Sequence, residues 1–124
     1  MNKDKVLLEI PAEPKYLSLA RLSLSGMAMN LNLDMDELED LKLLITESCN
    51  LSFRIGRVDR IQIEIELGKS SLSFKVSGIE KKDLEENDEY KMSLMILESL
   101  GDMVELCGES LCVRKELENS YEER

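Results

Sequence analysis

Apolar positions along the chain follow two different periods, and the switches between them mark the predicted elements. Residues 6–10 (VLLEI) form a short β-type run halted by Pro11. Pro14 then falls at a first helical position, where its missing N–H costs nothing and its φ is already helical. Leu17, Ala20, Leu24, Met27 and Leu31 recur at helical spacing, which predicts a helix to about Leu31. Leu19, Leu22 and Met29 lie off that stripe and widen it. So broad an apolar girth implies two contacts, one to the protein's own sheet and one to another element or chain.

Asn32-Leu33-Asp34 breaks the pattern, with Asp34 as the expected N-cap of a second helix. Asp36 and Glu37 suit the positive end of its dipole, and Gly56 is its expected stop. Leu38, Leu41, Ile45, Ser48 and Ser52 share one stripe of that helix. Residues 60–67 (RIQIEIEL) alternate strictly, and Leu72, Phe74 and Val76 alternate again after a GKSS hairpin connection. The polar partners in that alternation predict a sheet covered on one side only. GIEKKDLEENDE is expected to be a solvated, charged connector of about ten residues. A third helix is predicted at 88–100 with Tyr90, Leu94 and Leu97 on its stripe, then a closing hairpin of 103–107 and 111–117. The polar tail from about residue 118 is expected to fray.

The order β-α-α-β-β-α-β-β predicts one α+β domain over residues 1–124. Its expected architecture is a two-layer α/β sandwich, a mixed but mostly antiparallel sheet with helices on one face. Composition fits an ordinary globular domain, 43% hydrophobic and 34% charged. No apolar run is long enough to span a bilayer and the N-terminus lacks a signal-type run, so the expectation is a cytoplasmic protein without a membrane partner. A net charge of −10, with Lys and Arg scattered among acids, disfavours nucleic acid and favours a basic protein surface. The three cysteines are expected to be small buried residues, although Cys107 and Cys112 flank a Gly-Glu-Ser turn and could meet across the hairpin. Without histidine or a CxxC pair, no structural zinc site is expected. Met27, Met29, Met92 and Met95 are expected mainly as core filler.

The order of elements, with IPAEPKYLSLARLSLSGMA in the first helix and DELEDLKLLITESCN in the second, resembles the RsbW/SpoIIAB-type anti-sigma factors. Those are serine kinases of the GHKL (Bergerat-fold) ATPase superfamily, and the likeness covers about residues 6–117. The resemblance implies a homodimer that sequesters a sigma factor and uses Mg-ATP to phosphorylate a STAS-type antagonist. It also implies three nucleotide boxes. In E-x-x-x-N, Glu47 matches the catalytic base, but the metal-ligand position is Leu51, and Asn50 sits one residue early. One residue is about 100° of helix rotation, so Asn50 projects elsewhere, and magnesium accepts little departure from octahedral oxygens. In D-x-G-x-G, Gly78 stands near the adenine-reading aspartate position. In the glycine-rich third box, Lys91 and Ser93 replace glycines, and the lid segment is short.

The expectation is therefore an anti-sigma-factor-like regulator that binds a sigma factor or STAS antagonist with no cofactor. No metal-binding or nucleotide-binding residues are assigned. Arg21 matches the family's partner-docking arginine, with a solvated arginine or a pairing to Glu13 as the plain alternative. Two other readings stand beside it. One is an active Mg-ATP-dependent kinase using Glu47; the other is a structural subunit of a regulatory assembly.

Overall fold

The computed structural model describes residues 4–117. Strand β1 (Lys5–Pro11) leads through a 3-10 turn (Pro14–Tyr16) into helix α1 (Leu17–Ala28). Helix α2 (Met35–Ile55) and strands β2 (Arg60–Leu67) and β3 (Ser71–Ser77) follow. A short helix α3 (Lys81–Glu86), a 3-10 turn (Asp88–Tyr90), helix α4 (Lys91–Leu100) and strands β4 (Met103–Cys107) and β5 (Ser110–Glu116) complete the chain.

The five strands lie in the order β1-β2-β3-β5-β4. All four pairings are antiparallel, so the sheet is not mixed as expected. Every neighbouring pair here is joined by a tight hairpin or brought together by an intervening helical segment that reverses direction. The register lines inward side chains into rows. Val6, Ile65, Phe74, Val113 and Val104 form one row, and Leu8, Ile63, Val76, Leu111 and Leu106 form the next. Helices cover that face, and Ile61, Ile63, Ile65 and Val76 are fully buried under α1, α2 and α4. Burying each such side chain contributes about 1.5–3 kcal/mol, so these rows are the main source of the fold's stability. The opposite face of the sheet stays polar, as the alternation requires.

Helix α2 has the ends its sequence signals. The Asp34 carboxylate accepts from the Glu37 N–H at 2.8 Å while the Glu37 side chain accepts from the Asp34 N–H, a reciprocal capping box. Gly56 closes the helix at φ 69°, a left-handed conformation that favours glycine. Helix α1 stops at Ala28, short of Leu31, because its last carbonyls are met by a tightened turn at Met29 and Asn30.

The charged connector is not a solvated loop. Its centre folds into α3, capped by Glu80 and Asp83, with Ile79 fully buried beneath it. Arg57 draws this helix in, contacting Asp83 at 3.0 and 2.6 Å and Glu80 at 3.5 Å. The methionine expectation holds for Met27, which packs against the core, and fails for Met29, Met92 and Met95, which are exposed. No helix among the described residues is long and apolar enough to cross a membrane. The tail from 118 lies outside the described residues.

Candidate functional site

Glu47, Leu51 and Arg54 stack along α2 at i, i+4 and i+7, the spacing that shares one helical face. Glu47 is half-buried and Leu51 is fully buried, presenting only carbon to its surroundings. Asn50 is half-buried on a neighbouring face, so it does not replace Leu51.

Beyond Leu51 the helix meets the end of β3. The Ser52 hydroxyl donates to the Ser77 carbonyl at 2.8 Å, tying α2 to the strand. Gly78, at φ 86°, lies so close that a Cβ there would meet Ser52 Oγ at 2.7 Å and Val58 Cγ2 at 2.8 Å. A side chain at this position needs Ser52 and Val58 to shift, and the positive φ favours glycine there. Ile79 then turns into the core at zero exposure.

Helix α4 approaches from the other side. The Arg54 guanidinium lies 3.5 Å from the Ser93 hydroxyl and 3.5 Å from the Glu89 carbonyl. Its centre sits 5.2 Å from the centroid of the Tyr90 ring, a cation–π distance. Burial, followed by the neighbouring Glu89, holds the Tyr90 phenol above its ordinary pKa. Ser93 is buried, and Lys91 pairs with Asp88 at 3.2 Å.

These contacts join α2, the β3 end and α4 directly. The buried hydroxyls Ser48 and Ser52 are both satisfied internally, Ser48 by donating to the Leu44 carbonyl at 2.9 Å. Among the described residues no buried side-chain nitrogen or oxygen lacks a partner.

Arg21 occupies a different place. It is exposed on α1 and lines two adjoining surface grooves, one with Glu39, Asp40, Leu43 and Thr46 of α2, the other with Ser18, Leu22 and Ser25. Glu13 pairs with Lys15 at 3.6 Å instead of with Arg21. Lys42, which borders both grooves, is held by Glu39 at 3.3 Å. Leu22, 66% exposed, stands beside Arg21 with no core role. A guanidinium next to an open leucine suits a carboxylate flanked by apolar side chains. Arg21 thus lies on open surface, whereas Glu47 is half-buried on α2.

No family model matches the chain. Individual relatives do. The serine-protein kinase RsbW of Bacillus subtilis (strain 168) is 42% identical over 48 residues, 39% of this chain and 30% of that protein. The serine-protein kinase RsbW of Listeria innocua is 36% identical over 78 residues, 60% of this chain and 50% of that protein. That of Oceanobacillus iheyensis is 33% identical over 67 residues, 54% of this chain and 42% of that protein.

The chain is similar to RsbW serine-protein kinases over part of its length. It matches half of the Listeria innocua kinase's length and less of the other two. The Arg54 contacts to α4 and the close packing at Gly78 were not foreseeable from the motif positions. The sequence signal for the first is Ser93 where the resemblance implies glycine, and for the second a glycine where it implies aspartate.

Among the three cysteines, Cys49 is buried, and burial pushes its thiol up to about 12. Cys107 and Cys112 are not core residues: Cys107 is exposed and Cys112 half-buried on the open sheet face. Burial, then the adjacent Cys107 thiol, pushes Cys112 up to about 12. A raised pKa keeps a thiol protonated and poorly nucleophilic.

Proposed function

We propose that this chain is an anti-sigma-factor-like regulator that binds a protein partner through the α1–α2 face around Arg21 and does not bind Mg-ATP productively. The observation that carries the second half is the direct packing of α2 against the β3 end and α4. Leu51 offers no oxygen at the metal position, Gly78 carries no carboxylate for adenine, and the space above Gly78 is taken by Ser52 and Val58. Arg54 and Ser93 meet where a phosphate chain would need bare backbone N–H groups. The residues present do not fit a magnesium nucleotide.

The partner follows from the family: a sigma factor or a STAS-domain antagonist, docking a carboxylate on Arg21 and apolar side chains against Leu22 and Leu43. The β1 edge, with Val6 and Leu7 exposed, together with Leu19 of α1, supports a homodimer.

Isothermal titration with Mg-ATP and with Mg-ADP tests the nucleotide half. No heat of binding is expected up to millimolar ligand, and micromolar affinity for either nucleotide would refute it. The competing kinase reading rests on Glu47, which keeps the position of the family's base. Phosphate transfer from Mg-ATP to a STAS protein, abolished by Glu47→Ala, would establish that reading instead. Partner binding is expected to fall on Arg21→Ala and to survive Glu47→Ala.

A further inference from the structure

We propose that the free edge of β4, with the apolar groove beside it, accepts an extended peptide segment in which apolar and basic side chains alternate. The site is at the opposite edge of the sheet from β1 and is independent of the Arg21 face.

Backbone phase comes first. The β4–β5 hairpin has a two-residue loop, Gly108-Glu109, so Cys107 and Ser110 close it as a hydrogen-bonded pair. Alternation then turns the backbone groups of Glu105 and Met103 toward β5 and those of Val104 and Leu106 away from it. The far end of β5 gives the same phase independently. The Leu117 N–H donates to the Ser70 carbonyl at 2.8 Å, so Val113 and Leu111 address β3 while Cys112 and Ser110 address β4. The N–H and C=O groups of Val104 and Leu106 therefore project from the outer edge of the sheet, where no described strand pairs with them. Such an edge is a template for strand addition.

The side chains set what can be added. Val104 and Leu106 point to the helix-covered face, opposite Val113 and Leu111. There they border a groove of about 230 Å³ roofed by Leu84 of α3 and Leu94 of α4. A guest strand would place alternate side chains beside Val104 and Leu106, under those leucines, so these must be apolar. Its intervening side chains would lie on the open face next to Glu105. Glu98, four residues after Leu94 on the same side of α4, adds a second carboxylate at the groove.

Charge decides among occupants. The grooves around Arg21 and on the open sheet face each carry Lys or Arg, whereas this one is lined by apolar residues and the two glutamates. On the open face Glu105 also borders Lys75 and Arg114, of which Arg114 is engaged by Glu116 at 2.9 Å. Lys81 pairs with Glu85 at 3.7 Å and Lys91 with Asp88 at 3.2 Å. A second copy pairing symmetrically about the centre of β4 would set Glu105 opposite Glu105, a destabilising arrangement. A guest carrying lysine or arginine opposite Glu105 meets no such penalty.

The test titrates the full chain with an acetylated peptide of alternating valine and lysine, followed by amide NMR and hydrogen exchange. Slowed exchange at the Val104 and Leu106 amides is expected, with affinity falling about tenfold in Glu105→Lys. Asp36→Lys, the same charge change on a distant exposed turn, is expected to leave affinity within about twofold. Equal loss in both variants would mean bulk attraction to an acidic protein and would overturn the proposal. Equal binding of an alternating valine–glutamate peptide would also overturn it. So would protection of Val104 and Leu106 that rises with protein concentration in the absence of peptide, since that would make the occupant a second copy.

Discussion

Leu51 shows how much a single position can weigh. Its side chain is fully enclosed between α2 and the rest of the core, so its apolar character is structural as well as chemically inert. Replacing it by asparagine would restore the family's metal ligand in name only. An amide at that site loses leucine's burial and must find hydrogen-bond partners in an apolar setting, at a cost of about 2–4 kcal/mol. Leu51→Asn is therefore expected to lower the urea midpoint substantially while leaving Mg-ADP titrations flat. A stable variant that gained nucleotide affinity would contradict both expectations. The thiols offer a second check at this scale. Cys107 is expected to react with maleimide in the folded protein, while Cys49 should label only on unfolding.

Among elements, legibility in the sequence tracked local chemistry. Helix α2 announces both ends, through Asp34 with Glu37 and through Gly56, and the structure places them there. Strands β2 and β3 were equally plain, since strict alternation has one reading. The end of α1 was not, because apolar residues continue through Leu31 while the backbone stops at Ala28. Helix α3 escaped notice because a six-residue charged segment has little helical stability alone. It depends on Ile79 beneath it and Arg57 beside it, the latter 26 residues earlier than its partner Asp83. The candidate site divides likewise. Leu51, Gly78 and Ser93 could be read as departures from the boxes, but the contacts of Arg54 with Ser93 and Tyr90 required the fold.

That tie to α3 has a pH signature. The Arg57 hydrogen bonds hold the Asp83 carboxyl below its ordinary pKa. A group depressed on folding contributes stability that is full above its unfolded pKa, about 3.9, and is lost as pH falls through the folded value. Asp83→Asn is expected to be less stable than the parent at about pH 6, with the gap narrowing below about pH 4. Chemical denaturation across that range measures it, and a gap that stayed constant would assign the loss to packing instead.

For the whole molecule, the two ends of the sheet differ in kind. The β1 edge exposes Val6 and Leu7 at 42% and 64%, whereas the β4 edge carries Glu105 at its centre. The proposed self-pairing uses the first and the proposed cationic guest the second. Sedimentation is expected to find a dimer that Leu7→Lys converts to monomer, with the fold intact by circular dichroism. A monomeric parent protein would remove the dimer from the proposed function without touching Arg21. The surplus of ten negative charges adds a solution property. Encounter with a basic partner should slow as salt rises, since exposed charges are screened beyond roughly 8 Å at physiological ionic strength.

The glycine after β3 makes its position epistatic. With Ser52 Oγ and Val58 Cγ2 both under 3 Å from any added Cβ, and φ at 86°, a side chain at position 78 needs both neighbours to shift and strains the backbone. What the chain tolerates there therefore depends on what stands at 52 and 58.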